Sequence, residues 1–277
     1  MSNLILNNGT EIPDIGFGTW QTTENVQKTV KLALEAGYRH IDTAAIYGNE
    51  AEIGEALADS KIPRKDLYLT TKIWNSNRST LGVKTSVEQS LKKLQTNYLD
   101  LLLIHWPANE KQFANWKEIN AETWKAMEEL YKTGVVKSIG VSNFMLPHIK
   151  ALLESAEIIP AVNQIEFHPG YTQPKVVDYC KEKGIAIEAW SPIGSGRLLK
   201  DRDLKAIADQ YNVSPAILCI QFCLQCGVVV LPKSENKENI NNNLHFNRFE
   251  ISESDMEKLK TLKETGFSGL DPETVNF

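Results

Sequence analysis

Asp42 ends a short segment, residues 39–42, that the sequence predicts to be a β-strand, and Tyr47 lies five residues further along the chain. A tyrosine alone is a poor acid at neutral pH, because its unperturbed pKa is about 10. A nearby cation favours the phenolate and brings the pKa of the phenol towards the working range. Lys72, at the end of another predicted strand, supplies that cation, and pairing with Asp42 would keep it charged in a desolvated pocket. The spacing therefore predicts a proton-handling site.

His105 ends a further predicted strand and can donate or accept a hydrogen bond to a substrate oxygen. None of these side chains is a strong nucleophile with a partnered base. Together they suit the protonation of an alkoxide as it forms, or the reverse, which carbonyl reduction by hydride requires. The hydride itself must come from a cofactor.

Strands and helices alternate along the chain that must position these residues. Residues 4–13 predict a small hairpin around an Asn-Gly turn. The helical period is clearest over residues 83–94, and residues 99–105 form the continuous apolar run of a strand buried on both faces. A polar loop from Pro107 is expected to lead to a helix over residues 122–133.

Eight such strands, each followed by a helical crossover in a chain of 277 residues, predict an α/β fold. We expect a (β/α)8 TIM barrel with a short N-terminal β-hairpin and extra helices, forming a single domain over residues 1–277. A doubly wound sheet is the alternative. Its phosphate-binding fingerprint is missing, because Gly16 and Gly18 are followed by Gln21 where the third glycine belongs.

The active site of a barrel lies at the carboxyl ends of its strands, and all eight predicted strands end in polar or aromatic residues. Ser142, Asn143 and Gln164 bring donors and acceptors suited to a planar carboxamide. Trp190 offers a face on which a nicotinamide ring could stack.

Two further groups of strand ends complete the predicted site. Lys233 and Ser234 follow the eighth strand, where barrels commonly bind phosphate. Three tryptophans, Trp20, Trp74 and Trp106, are expected to form an aromatic wall that binds the substrate. The sequence thus predicts a dinucleotide on one side of the mouth and an apolar substrate pocket on the other.

Six stretches carry a resemblance to a known family, and together they are highly specific. On these stretches the chain resembles the aldo-keto reductases over essentially its whole length, near 2,5-diketo-D-gluconate reductase and the prostaglandin F synthase-like members. The stretches are 16–20, 39–44 continued by 47–50, Lys72 with Trp74, 100–107, 140–144 and 232–234.

The resemblance implies a catalytic tetrad with Tyr47 as the general acid and NADPH bound in extended form. Its substrate would be a small-molecule aldehyde, ketone or dicarbonyl. The implied tetrad is Asp42, Tyr47, Lys72 and His105, and the implied cofactor-binding residues are Gly18, Thr19, Ser142, Asn143, Gln164, Trp190, Ser191, Pro192, Ile193, Gly194, Lys233, Ser234, Asn239 and Asn243.

The chain departs from the family pattern at Asn239. Many family members carry an arginine at this position, five residues after the motif serine, which clamps the 2′-phosphate of the cofactor. A lysine and a hydroxyl hold phosphate less specifically than a bidentate arginine, although Lys237 could compensate. We therefore expect a weakened preference for NADPH, with NADH also used.

Composition excludes other partners. The net charge is −5, and acidic and basic residues are interspersed along the chain, which disfavours binding to nucleic acid. No apolar stretch is long enough to span a membrane comfortably. No signal peptide is visible, and the four cysteines are expected to be reduced core thiols, with no metal bound. We expect a cytoplasmic monomer.

Two other functional classes remain open on sequence grounds. Glu166, paired with Asp42, would suggest a glycosidase, but that leaves Tyr47, Lys72 and the carboxamide-binding set without a purpose. A barrel that binds NADPH as a sensor or channel-associated subunit is the other class, and the complete tetrad argues against it. The identity of the carbonyl substrate is not recoverable from the sequence.

Overall fold

The structure is a computed structural model that describes residues 2–22 and 24–277. These described residues form ten strands: β1 (Asn3–Ile5), β2 (Glu11–Pro13), β3 (Phe17–Gly18), β4 (His40–Asp42), β5 (Tyr68–Ile73), β6 (Leu101–Ile104), β7 (Ile139–Ser142), β8 (Val162–Glu166), β9 (Ala186–Trp190) and β10 (Val229–Leu231). In the same described part of the chain, ten α-helices lie between and after the strands: α1 (Val26–Ala36), α2 (Glu50–Asp59), α3 (Thr80–Lys93), α4 (Trp116–Lys132), α5 (Leu146–Leu153), α6 (Pro174–Glu182), α7 (Arg202–Gln210), α8 (Pro215–Gln225), α9 (Lys237–Leu244) and α10 (Glu253–Lys260).

Strands β3 to β10 form one parallel sheet in sequential order. A parallel bridge between Ile15 and Val230 joins β10, the last strand of this sheet, to the residues just before β3, its first strand. The Gly16 amide donates to the Val230 carbonyl at 2.8 Å. These bonds close the sheet into a barrel with the helices outside. The predicted (β/α)8 barrel and its N-terminal hairpin are confirmed.

The hairpin β1–β2 packs against the interior of the barrel at the amino-terminal ends of its strands. Leu6 and Ile12 are buried there against Tyr68, Leu101 and Leu103. Apolar contact of this kind excludes water from the barrel floor. The open end of the barrel is therefore the end where the strands finish.

Local sequence signals set the ends of the helices. Ser214 caps α8 by accepting a hydrogen bond from the Ile217 amide, and Pro215 supplies the fixed φ of the first turn. Gly37 ends α1 at φ +105°, a conformation that L side chains rarely adopt. Each such stop returns the chain to the next strand.

The expected start of the fourth helix at residue 122 is wrong, because α4 begins at Trp116. Its first turns look polar in sequence, but Asn120 is buried and its side chain exchanges two hydrogen bonds with the backbone of Ala108. The polar residue thus stabilises the end of the preceding loop from within the helix. Among the described residues, no helix has the length and apolar character to cross a membrane.

Candidate active site

An ion pair lies at the centre of the barrel mouth. The Lys72 ammonium donates to Asp42 Oδ1 at 2.7 Å and to the Thr43 carbonyl at 2.8 Å, and both side chains are almost fully buried. Burial acts to lower the pKa of Lys72, but the Asp42 carboxylate, together with Tyr47 and Glu188, outweighs burial and leaves that pKa raised. Lys72 is therefore charged across the physiological range, as the sequence predicted.

Tyr47 is held beside this pair by a single 3-10 turn, Ala45–Tyr47. Gly48, at φ +72°, ends the turn. The buried Asn49 then fixes the loop, accepting from the Thr43 hydroxyl at 2.8 Å and donating to the Thr19 carbonyl at 3.0 Å. The Lys72 nitrogen lies 5.1 Å from the centre of the Tyr47 ring. The predicted closeness of ammonium and phenol is thus present.

The net direction that we expected for the Tyr47 pKa is wrong. Burial raises the pKa of the phenol above its ordinary value, and the Lys72 charge lowers it only in part. Desolvation disfavours a phenolate more than one ammonium at this distance favours it. Tyr47 is consequently protonated at neutral pH, which is the state that a proton donor must have.

His105 completes the group. Its ring lies edge-on to the Tyr47 ring with the centroids 5.5 Å apart. Burial, with a further contribution from the Lys72 charge, holds the pKa of His105 well below its usual range. The imidazole is therefore neutral and can donate one hydrogen bond without carrying charge. The four predicted tetrad residues are brought together.

The residues expected to hold a nicotinamide form a connected platform. The Trp190 indole N–H donates to Asn143 Oδ1 at 2.8 Å. Asn143 Nδ2 donates to the His105 carbonyl at 2.9 Å and to the Ser142 hydroxyl at 3.1 Å, and that hydroxyl donates to the Gln164 carbonyl at 2.9 Å. An aromatic face beside amide groups fixed in this way fits a ring that carries a carboxamide.

A cavity of about 500 Å³ opens above this platform. The predicted residues that line it are Gly18, Trp20, Asp42, Tyr47, Trp74, His105, Trp106, Ser142, Asn143, Gln164, Trp190, Ser191, Pro192, Ile193 and Lys233. Lys72 lies behind the lining, against Asp42. The cavity is thus bordered by the tetrad, the platform and the three tryptophans.

Five residues expected at the cofactor lie outside the lining of this cavity in the described structure: Thr19, Gly194, Ser234, Asn239 and Asn243. Thr19 is buried and its hydroxyl donates to the Asp42 carbonyl at 2.8 Å, so it fixes the end of β4. A Cβ on Gly194 would meet Gly266 Cα at 2.9 Å, so this glycine permits close approach of two backbone segments.

The C-terminal segment contributes Phe277 to the aromatic wall. The Phe277 ring stacks on Trp74 with centroids 5.7 Å apart and meets Trp106 edge-on at 5.2 Å. Asn109 holds this segment by donating to the Val275 carbonyl at 2.9 Å. No strand or helix pattern marks these residues, so the contacts of Phe277 with the two tryptophans follow from the structure alone.

Known proteins match the whole chain. The model of the Aldo/keto reductase family matches residues 14–264. A glyoxal reductase of Bacillus subtilis is 42% identical, covering 98% of this chain and 96% of its own length. The chain belongs to the aldo/keto reductase family. The predicted recognition is confirmed.

Two further proteins place this aldo/keto reductase among its relatives. A glycerol 2-dehydrogenase (NADP(+)) of Saccharomyces cerevisiae is 43% identical, covering 95% of this chain and 91% of its own length. The solved structure of MGS-M4, an aldo-keto reductase from a Medee basin deep-sea metagenome library, has a TM-score of 0.92 and 38% identity. The match spans 99% of this chain and 100% of the MGS-M4 chain.

At the expected phosphate end of this aldo/keto reductase, one of the two lysines is already paired with a carboxylate. The Lys233 ammonium is paired with Glu235 at 2.7 Å. Asn239, which stands in place of the arginine expected from the family pattern, is exposed on the first turn of α9. Its backbone N–H donates to Asn236 Oδ1 at 3.0 Å. Lys237, the residue that could compensate, is exposed at the start of the same helix.

The carboxylate that suggested a glycosidase has another occupation. Glu166 Oε2 accepts from the Ser268 hydroxyl at 2.7 Å, and Oε1 accepts from the Ser268 amide at 2.8 Å. His168 and Arg197 approach the same carboxylate at 3.4 and 3.8 Å. Glu166 therefore anchors the C-terminal segment. Within residues 2–22 and 24–277, no cluster of three or more His, Cys, Asp or Glu side chains could hold a metal ion.

Proposed function

We propose that Tyr47 is the general acid in the carbonyl reduction that membership of the family indicates. The observation that supports this assignment is the buried Lys72–Asp42 pair, whose ammonium lies 5.1 Å from the centre of the Tyr47 ring. A protonated phenol next to a fixed cation can give up its proton and leave a stabilised phenolate. Asp42 keeps that cation charged.

The roles of the other residues follow from their positions. Reduced nicotinamide, when bound, supplies the hydride to the carbonyl carbon. Neutral His105 positions the carbonyl oxygen by a hydrogen bond, and Tyr47 protonates that oxygen. Trp190, with Ser142, Asn143 and Gln164, would hold the nicotinamide ring beside the substrate. Trp20, Trp74 and Trp106 exclude water around the apolar part of the substrate.

We further propose NADPH as the preferred cofactor, with NADH also used. The yeast relative named for NADP(+) supports the first half. The second half is supported by Asn239 and by the Lys233–Glu235 pair, because a lysine that already has a carboxylate partner attracts a 2′-phosphate less strongly. The substrate class is small aldehydes, ketones or dicarbonyls, as the relative named glyoxal reductase suggests.

Mixing the protein with NADPH and a reactive aldehyde, and following the loss of reduced-nicotinamide absorbance, tests the reaction. Tyr47→Phe is expected to abolish turnover while NADPH binding, followed by quenching of tryptophan fluorescence, persists. A variant that keeps most of its rate would refute Tyr47 as the acid. NADPH binding without turnover by the unaltered protein would favour a sensor, and cleavage of aryl glycosides without cofactor would favour a hydrolase.

Residues 1–277 are proposed to act as one barrel unit on a small-molecule carbonyl. A monomeric state and a cytoplasmic location stay predictions.

A further inference from the structure

A buried acid that the reaction above does not use lies directly beneath the nicotinamide platform. Glu188 is in the middle of β9, in register with Gln164 on β8, and it is completely buried. Its Oε2 accepts from Gln164 Nε2 at 2.6 Å. An acidic residue within an apolar strand was the sequence signal for it, because carboxylates are almost never fully buried unless paired.

The Gln164 amide is fixed from below by two acids at once. The same Nε2 donates to Glu188 Oε2 and to Asp42 Oδ2, the latter at 2.9 Å. An amide nitrogen has two N–H groups, and both are therefore used inside the barrel. A rotated amide would turn its oxygen towards the ionised Asp42 carboxylate, which can only accept, and would lose the bond to Asp42. The Gln164 oxygen is thus the polar atom left for the cavity, which this residue lines.

We propose that Glu188 is a positioning residue that orients the Gln164 amide so that its oxygen accepts from the carboxamide NH2 of the nicotinamide. This inference rests on the proposed function, since it requires a nicotinamide at Trp190. It adds a residue that reaches the reaction only through Gln164.

The charges around Glu188 favour the neutral acid. His40 Nε2 approaches Glu188 Oε1 at 3.6 Å, but burial lowers the pKa of His40 to about 3, so this imidazole is uncharged. The Lys72 ammonium is already paired with Asp42, and the Tyr68 phenol is protonated because burial raises its pKa well above the usual range. Burial and the Asp42 charge together raise the pKa of Glu188 to about 8.

This surrounding gives the proposal a pH signature. Below about pH 8 the acid is neutral, and above it a second negative charge appears beside Asp42. A negative charge stabilises the positive ring of NADP+ relative to the neutral ring of NADPH. In the unaltered protein, the ratio of the NADPH Kd to the NADP+ Kd should therefore rise as the pH increases through 8.

The experiment uses the whole protein and two variants. Glu188→Gln keeps an acceptor for Gln164 and cannot ionise, whereas Glu188→Met keeps the volume and removes the acceptor. Quenching of tryptophan fluorescence measures the Kd of three probes: NADPH, NADP+ and 2′-phosphoadenosine 5′-diphosphoribose, which lacks the nicotinamide. Thermal melts by circular dichroism verify that each variant is folded.

We expect Glu188→Gln to bind NADPH as the unaltered protein does near pH 7, and to lose the change in the Kd ratio near pH 8. Glu188→Met should weaken NADPH binding about fivefold, the effect of about one hydrogen bond, and leave binding of the nicotinamide-free probe unchanged. Single-turnover reduction should slow in Glu188→Met and recover in Glu188→Gln.

The opposite results would overturn the inference. These are unchanged NADPH binding in Glu188→Met, an equal loss for NADPH and the nicotinamide-free probe, or a Kd ratio that still changes near pH 8 in Glu188→Gln. A misfolded Glu188→Met leaves the Glu188→Gln result to decide. An unaltered protein that reduces the aldehyde while these tests fail refutes only the role of Glu188, whereas one that binds no NADPH refutes the proposed function as well.

Discussion

Replacing Lys72 by methionine separates the two consequences of the buried ion pair. Methionine retains most of the side-chain volume but leaves the Asp42 carboxylate, whose side chain is only 5% exposed, without its charged partner. Breaking a buried pair from one side costs about 3–5 kcal/mol of stability. The same substitution removes the cation that stabilises the Tyr47 phenolate as it forms.

The catalytic part can be sized from the structure. Unit charges 5.1 Å apart, the separation between the Lys72 nitrogen and the Tyr47 ring centre, interact by about 3 kcal/mol at an effective dielectric constant of about 20. Since each 1.36 kcal/mol changes a rate tenfold, the chemical step should slow on the order of 100-fold. Single-turnover reduction of a reactive aldehyde measures this rate, and chemical denaturation measures the free energy of unfolding.

The double variant Lys72→Met with Asp42→Asn is the matched control. With both charges removed, no carboxylate is left buried and unpaired, so the free energy of unfolding should largely recover while the rate should not. Recovery of the rate together with stability would refute the electrostatic role of Lys72. Retention of more than about a third of the original rate by Lys72→Met alone would refute it too, since it leaves under 1 kcal/mol for the cation.

Two further predictions concern pH and cofactor choice. The value of kcat/KM for reduction should be flat from about pH 5 to 7, because the pKa of His105 is held well below 6.5 and that of Tyr47 is raised, so neither group changes protonation there; an inflection near 6.5 in a pH–rate profile would contradict this. Asn239→Arg should raise the NADPH-to-NADH ratio of kcat/KM about 10- to 100-fold by adding a bidentate donor, while Asn239→Gln should not; an unchanged ratio in steady-state assays would place the 2′-phosphate elsewhere.

The barrel could be predicted because its signals are local and repeated. Apolar runs such as residues 99–105 mark strands, and glycine stops such as Gly37 mark several of the helix ends, each independently of the others. The rule that barrel sites lie at the carboxyl ends of strands then selected Asp42, Lys72 and His105 before any contact was known. These three side chains do meet at the mouth.

What could not be predicted depends on distances through space. The sign of the Tyr47 pKa shift is set by desolvation, which the sequence does not show. An expectation based on the Lys72 charge alone therefore has the wrong sign. The contact of Glu188 with Gln164 depends on the register of β9 against β8, which the sequence does not show. Phe277 reaches the tryptophan wall from the far end of the chain, and no periodic pattern carries that information.

The attachment of the C-terminal segment has a practical consequence for exchanging parts between relatives. Its backbone is bonded to Asn109 in the loop after β6, and its Ser268 is bonded to Glu166 at the end of β8. A chimaera that carries the tail of a relative without matching hydrogen-bond partners at residues 109 and 166 would leave these polar groups without their hydrogen bonds. The tail should therefore be transferred together with the residues at positions 109 and 166 that form hydrogen bonds with it.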